Sequence, residues 1–139
     1  MEKAQQPAVT VTPNQQTLAQ TDEDYFAVFR QDRDNVRSKE IEYLETIIQQ
    51  ADMDADAETL AEAQQQKMDI VDNMEKEFTV ESLLKAKGFK DAAVTLHQGS
   101  VNVILCAKEL TQAQVAQVLD IVLRETGKNA ENVKVLTTE

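Results

Sequence analysis

Cysteine and histidine are nearly absent from this chain of 139 residues, which contains one of each, Cys106 and His97. A single cysteine excludes a disulfide within the chain, and a single histidine excludes a catalytic histidine pair. Together they also exclude a zinc site built from the Cys and His ligands of one chain. Most familiar catalytic centres are therefore ruled out, and no cofactor or metal is predicted.

Glycine, proline and basic residues are also scarce. Three glycines and two prolines are too few for the many turns of an all-β protein, and the glycines are isolated, so they form no phosphate-binding loop. The 14 basic residues face 25 acidic ones, which gives a net charge of −11. Such a surface repels phosphate backbones, and no nucleic-acid partner is predicted.

Long apolar runs are missing as well. No stretch reaches the roughly 18 to 20 consecutive apolar residues that a membrane helix needs. The length is enough for a single domain, or for a small domain with a helical extension.

The first half of the chain predicts a tether and a helical arm. Residues 1–21 hold both prolines and many glutamines without apolar periodicity, which predicts a flexible tether. Helical spacing then predicts two helices over residues 22–74, the first from Thr21 to about Gln50 and the second capped by Asp54 or Asp56. The second helix is predicted to end at Gly88 and to carry its apolar residues on one side, namely Leu60, Met68, Val71, Met74, Phe78 and Leu84. At about 50 Å it exceeds a small domain, so part of it projects.

The second half predicts a compact α+β domain over residues 75–139. Alternating apolar residues on both sides of Gln98 and Gly99 predict a β-hairpin, with Asn102, Ile104 and Cys106 on one face of its second strand. Thr111 and Gln114 form a capping box before a third helix, and residues 133–138 form a last strand. The predicted order is helix-strand-strand-helix-strand, a three-stranded sheet with helices on one face.

The acidic clusters lack the pattern of a functional site. Asp52, Asp54 and Asp56 have the opening spacing of a calcium loop, but Ala57 and Ala63 stand where that loop needs Gly and Glu. Helix capping explains these aspartates better. A catalytic role for Glu40, Glu42 and Glu45 is disfavoured, because an exposed helix face does not separate their pKa values. His97 is interpreted as a surface residue and Cys106 as a small packing residue.

Arg30, Arg33 and Arg37 recur at helical spacing and form one basic stripe. Two interpretations remain open. The arginines can pair with acids of the same helix, as Arg30 with Asp34 and Arg37 with Glu40, or they can bind the carboxylates of a partner.

Several stretches together resemble the soluble region of the stage III sporulation protein AH family of endospore-forming bacteria. They are YFAVFRQDRDNVRSKEIEYL (25–44), LLKAKGFKDAAVTL (83–96), VNVILCA (101–107), ELTQAQVAQVLDIVLRETG (109–127) and ENVKV (131–135). The similarity covers about 115 residues in the same order, and the RSKEIE and KGFKDA segments are its most specific parts.

The resemblance implies a fold similar to the ring-building motif and a non-enzymatic role in a channel or ring between mother cell and forespore. It implies anchoring in the mother-cell membrane through an N-terminal helix absent from this chain. The implied partners are a protein like stage II sporulation protein Q, other stage III A subunits and a homo- or hetero-oligomeric ring.

The predicted partner interface consists of the sheet and its strand edges, with the basic stripe as a second candidate. Its residues are Asn102, Ile104, Cys106, Leu136, Arg30, Arg33 and Arg37. The alternative function is a helical, coiled-coil-like adaptor in which the acidic arm binds the partner and the strands only cap it.

Overall fold

The computed structural model describes residues 9–13 and 22–138. Three α-helices, one short 3-10 helix and four strands follow one another along this part of the chain. Their bounds are β1 Val9–Pro13, α1 Asp22–Met53, α2 Ala57–Ala86, β2 Ala92–His97, β3 Ser100–Leu105, α3 Gln112–Thr126, the 3-10 helix Ala130–Asn132 and β4 Val133–Thr137.

Helices α1 and α2 form a long antiparallel pair. The predicted break between them is confirmed, since Asp56 caps α2 by accepting a hydrogen bond of 3.2 Å from the Thr59 N–H. Leu44 and Ala51 of α1 and Ala63 of α2 are buried. The apolar residues predicted to line one side of α2 are largely exposed, however: Met68 is 64% exposed, Val71 45% and Phe78 71%.

The β-hairpin is present as predicted. Strands β2 and β3 are antiparallel, and Gln98 and Gly99 between them both have positive φ, at 48° and 87°. Two positive φ values match the type I′ turn that joins twisted strands through two residues. Val101, Val103 and Leu105 point into the core, as the alternation of β3 predicts.

The capping box at Thr111 and Gln114 is also confirmed, and α3 ends at Gly127 with φ of 72°. Strand β4 then runs parallel to β3, with Val135 opposite Val103. The main core lies between α2 and α3 on one side and the sheet on the other. Each of the elements predicted for residues 75–139 is therefore found.

The sheet has one strand more than predicted. Strand β1, within residues 1–21, pairs in parallel with β4, and the strand order is β1-β4-β3-β2. This strand departs from the predicted tether, and the physical reason is local: the run VTVT consists of four β-branched residues, which favour extended backbone. The rest of the predicted tether lies outside the described residues.

The predicted boundary between residues 74 and 75 falls inside α2, which continues without a break from Ala57 to Ala86. The division into an arm and a compact domain stays a prediction. Within the described part of the chain, no helix is long and apolar enough to cross a membrane.

Candidate protein-interaction surfaces

The sheet has an outer face, turned away from α2 and α3, that carries most of the predicted interface. We define this outer face by Thr95 of β2, Asn102 and Ile104 of β3, and Lys134 and Leu136 of β4. The strand register places Asn102 beside Lys134 and Ile104 beside Leu136. The alternation of side chains along each strand thus brings the predicted residues together.

Phe26 at the start of α1 covers part of this outer face. Its side chain is 1% exposed and packs with Ala93 and Ile104, and Tyr25 and Phe29 lie around it. The rings of Tyr25 and Phe26 meet edge to face, with centroids 5.5 Å apart. Ile104 is therefore only 6% exposed, which corrects its predicted place on a free surface. Thr95, Asn102 and Leu136 remain half-buried, and Lys134 is exposed.

Cys106 follows β3 and is half-buried beside the N-terminus of α1. Its Sγ lies 3.3 Å from Asp22 Oδ2, to which the thiol donates. Burial raises the pKa of the Cys106 thiol above its ordinary value, and the Asp22 carboxylate raises it further. A protonated thiol is a poor nucleophile, so the geometry agrees with a packing role.

The three arginines of α1 do not form an open stripe. Each guanidinium donates both to a carboxylate and to a backbone carbonyl of β2. We call this set the edge ladder; its members are Arg30, Arg33, Arg37, Glu77, Glu81 and Asp91.

The innermost part of the edge ladder joins Arg37, Glu77 and Leu96. Arg37 Nη2 lies 2.5 Å from Glu77 Oε2 and 3.0 Å from the Leu96 carbonyl oxygen, while Glu77 Oε2 accepts from the Leu96 N–H at 2.7 Å. Arg37 is 6% exposed and Glu77 1%. Such a buried pair is tolerated because both charges have partners and the remaining hydrogen bonds are satisfied.

The same arrangement repeats along the strand. Arg33 donates to Glu81 at 2.7 Å and to the Val94 carbonyl at 2.5 Å, and Glu81 accepts from the Val94 N–H at 2.8 Å.

The third repeat lies at the start of β2. Arg30 donates to Asp91 and to the Ala92 carbonyl, both at 2.7 Å, and Asp91 accepts from the Ala92 N–H at 2.8 Å. Burial raises the pKa of Asp91, but the hydrogen bonds from Arg30 and Ala92 outweigh it and hold that pKa below the ordinary value. The hydrogen bond to Asp91 raises the pKa of Arg30.

The spacing of the edge ladder follows from two regular periods. Alternate residues of a strand lie about 6.6 Å apart, and their N–H and C=O groups point to the same edge. Helix residues three or four apart rise by about 4.5 to 6 Å, which nearly matches this interval. Arg30, Arg33 and Arg37 on α1 can therefore each reach one of Ala92, Val94 and Leu96.

The edge ladder closes the free edge of β2. The outward N–H and C=O groups of Ala92, Val94 and Leu96 are all used by side chains, so a partner strand has no free groups to pair with there. The predicted pairing of Arg30 with Asp34 is corrected, because Asp91 and β2 take that guanidinium. Only Arg37 lies near an acid of its own helix, 3.9 Å from Glu40. As partner contacts, the three arginines stay a prediction.

The other candidate residues lie apart from each other. His97 is exposed at the end of β2, and Glu42 is exposed on α1. Glu45 pairs with Lys67 of α2 at 3.0 Å on the surface. Across residues 9–13 and 22–138, no group of three or more His, Cys, Asp or Glu residues is placed to hold a metal ion.

The helical arm exposes large apolar side chains. On α2 these are Met68, Val71, Met74, Phe78 and Leu83, and on α1 they include Val36 and Tyr43, the latter 68% exposed. Exposed apolar side chains in this number on one helix are typical of an interaction surface.

Comparisons with known proteins agree on one family. The model of the family described as SpoIIIAH-like protein matches residues 1–135. Stage III sporulation protein AH of Bacillus subtilis (strain 168) is 28% identical over 104 residues, which cover 75% of this chain and 47% of that protein. The chain thus spans about half the length of this relative.

A solved structure has a similar fold. A chain of the "Structure of the SpoIIQ-SpoIIIAH pore forming complex" superposes with a TM-score of 0.73 at 25% identity. The match covers 83% of this chain and 97% of the other.

Proposed function

This chain belongs to the SpoIIIAH-like protein family, and from that membership we propose that it is a non-enzymatic structural subunit of a sporulation channel or ring. It acts by protein-protein assembly in the space between mother cell and forespore. Its partner is a protein like stage II sporulation protein Q, and other stage III A subunits join the same assembly. In the full-length protein an N-terminal helix anchors it in the mother-cell membrane.

One observation carries this proposal: 83% of this chain matches a chain of a solved complex that is described as pore forming. The chemistry of the surfaces supports it. The acidic side chains of the edge ladder are held by arginines, and the thiol of Cys106 has a raised pKa. These groups stabilise structure and are not arranged for proton transfer or nucleophilic attack.

We place the partner on the outer face and on the groove beside it. Phe29 and Val36 of α1 and Thr95 and His97 of β2 line this groove, so it adjoins the outer face directly. Asp32, Arg33, Arg37 and Glu40 also line the groove, so the surface combines apolar side chains with charged and polar ones, as in an interface core with a polar rim. Because the edge ladder closes the free edge of β2, the partner docks on the outer face and not on that edge.

Titration calorimetry with the purified protein Q-like protein of the same organism tests the proposal. Asn102→Arg and Lys134→Glu change two outer-face residues that lie side by side, half-buried and exposed respectively, so the fold tolerates both. We expect each to weaken binding by at least about tenfold. The matched control is Gln117→Arg on the exposed side of α3, in the opposite layer, which leaves the affinity within about twofold.

Two results contradict the proposal. If calorimetry and light scattering detect no complex at micromolar concentrations, the protein Q-like protein is not the partner. Equal weakening by Gln117→Arg contradicts the outer face as the interface. Circular dichroism of each variant shows whether a lost complex reflects a lost fold.

The adaptor alternative is supported by the exposed apolar residues of α2. It predicts that Val71→Ser and Phe78→Ser abolish the complex, whereas the outer-face proposal predicts no change. Point variants are preferable to deleting the arm, because a deletion of α1 removes Arg30, Arg33 and Arg37 and opens the β2 edge.

A further inference from the structure

The outer strands of the three-stranded part of the sheet, β4-β3-β2, differ in how their outward edges are covered. Side chains of the edge ladder close the β2 edge within the folded chain. The β4 edge is covered by backbone, since Val9–Pro13 pairs with it in parallel over five residues, from Val9 opposite Val133 to Pro13 opposite Thr137. The β4 edge is therefore a strand-acceptor site, and β1 shows which strand fits it.

Strand β1 is attached to the rest of the fold at few points. Among the elements described, it contacts mainly β4 and the 3-10 helix next to β4. A single five-residue strand on an edge contributes little stability by itself. Its pairing with β4 is therefore among the first contacts of the fold to open.

We propose that β1 exchanges between copies: Val9–Pro13 of one molecule pairs with β4 of a second molecule. The second copy is the occupant because its strand has the same sequence and so fits the same register. The exchange needs no new contact, since each β4 edge regains the hydrogen bonds it gives up. Domain swapping of this kind is a low-cost route to association.

The connection to α1 is long enough for this exchange. Asp22 at the start of α1 lies beside Cys106, which follows β3, and Pro13 is two strands away, at about 10 Å. Residues 14–21 can span at most about 29 Å. The excess length permits pairing either with the chain's own β4 or with that of a neighbour.

The absence of charged side chains around β1 favours this strand as the segment that is exchanged. Residues 4–20 contain no charged side chain, although the whole chain has a net charge of −11. Strand exchange therefore adds no acidic group to the neighbour's sheet, whereas contact between two helical arms brings like charges together. Two copies that exchange strands reciprocally form a closed pair, whereas strands passed head to tail from copy to copy form a ring or an open filament.

Cysteine cross-linking between copies tests the exchange. In a Cys106→Ser background, Thr12→Cys is made in one copy and Leu136→Cys in another, because Thr12 and Leu136 are opposite each other in the register. Neighbouring strands are about 4.8 Å apart, within the range of a disulfide. We expect a cross-linked heterodimer after mixing and oxidation. With both cysteines in one chain, the ratio of dimer to monomer cross-links should rise about tenfold for each tenfold rise in concentration.

Thr12→Cys mixed with Thr95→Cys is the matched control. Thr95 lies on the outer face but on β2, at the far side of the sheet, so only random collisions join it to Thr12. Exchange is overturned if the double variant forms only cross-links within one chain at every concentration. Exchange is also overturned if Thr12→Cys cross-links to Thr95→Cys as fast as it does to Leu136→Cys. It is overturned as well if Thr12→Cys and Leu136→Cys form no cross-linked heterodimer.

Discussion

The Glu77 carboxylate, on a helix, accepts a hydrogen bond of 2.7 Å from the backbone N–H of Leu96, on an edge strand. A side chain thus takes the place that a neighbouring strand would fill. Arg37 completes the arrangement by donating to the Leu96 carbonyl, and the same substitution recurs at Val94 and Ala92. The sheet therefore ends at β2 without a further strand.

Arg37→Ala should lower the free energy of unfolding by about 3 to 5 kcal/mol, because it leaves the buried Glu77 carboxylate without its counter-charge. Urea unfolding measures the change. Arg124→Ala is the control, since Arg124 also pairs with an acid, Asp120, but on the surface, and its loss should cost less than about 1 kcal/mol. Equal effects of the two substitutions would show that burial does not determine the strength of these pairs.

The edge ladder should make stability depend on pH through Asp91. Because its pKa is lowered on folding, the ionised carboxylate stabilises the fold above its unfolded pKa, near 4. That contribution is lost as the pH falls through the lower folded pKa. Asp91→Asn should therefore reduce the difference in unfolding free energy between neutral and acidic pH, measured by urea unfolding. Gln117→Asn, an exposed substitution on α3 that removes no titratable group, should leave that difference unchanged.

Phe26→Ala should destabilise the protein by roughly 3 to 5 kcal/mol, since its ring is buried on the outer face between α1 and the sheet. Thermal or urea unfolding measures the loss. Phe78→Ala, which truncates a ring that is 71% exposed, should change stability by less than about 0.5 kcal/mol. A loss at Phe78 as large as at Phe26 would place the contacts of α1 with the sheet in doubt.

Cys106 should react slowly with iodoacetamide at neutral pH, because burial and the neighbouring Asp22 raise the pKa of its thiol. Only the thiolate reacts, so the rate should rise with pH up to values above the ordinary pKa. Asp22→Asn removes one of the two causes and should accelerate the reaction. Mass spectrometry follows the alkylation, and an unchanged rate in Asp22→Asn would exclude the carboxylate as a cause.

Local signals in the sequence predicted the second half of the fold well. The pair Gln98 and Gly99 marked a two-residue turn, and Thr111 with Gln114 marked the start of α3. In each case the residues that form the structure are one to three positions apart. Turns and helix caps formed by residues so close in sequence can be predicted without knowledge of the tertiary contacts.

The edge ladder could not be predicted in the same way. Arg37 and Glu77 are 40 residues apart, and Arg30 and Asp91 are 61 apart. The helical spacing of the three arginines was visible, but nearby acids on α1 offered an equally simple explanation. A basic stripe on one helix and acids at i and i+4 on the next, before an edge strand, are the signal that could have indicated tertiary pairing.

The buried side of α2 was predicted only in part, for the same reason. Of the apolar residues predicted to lie on one side, Leu84 is buried but Val71 and Phe78 are exposed, and Glu77 and Glu81 are buried instead. Hydrophobicity alone assigns charged residues to solvent, but here the β2 edge needs acceptors for its N–H groups. The hydrogen bonds that the β2 N–H groups gain outweigh the desolvation cost of burying the Glu77 and Glu81 carboxylates, which are paired with arginines.

The regular interval of the edge ladder also governs how the long helices transmit force. If α1 slid along β2 by about 3 Å, half the interval of the edge ladder, all three guanidinium groups would move away from both acceptors at once, so small sliding motions meet a steep barrier. A force applied to the end of α1 near Ala51 is therefore transmitted to the sheet without sliding of the helix along β2. A load applied at the turn between α1 and α2 would therefore reach the sheet without being absorbed at a hinge.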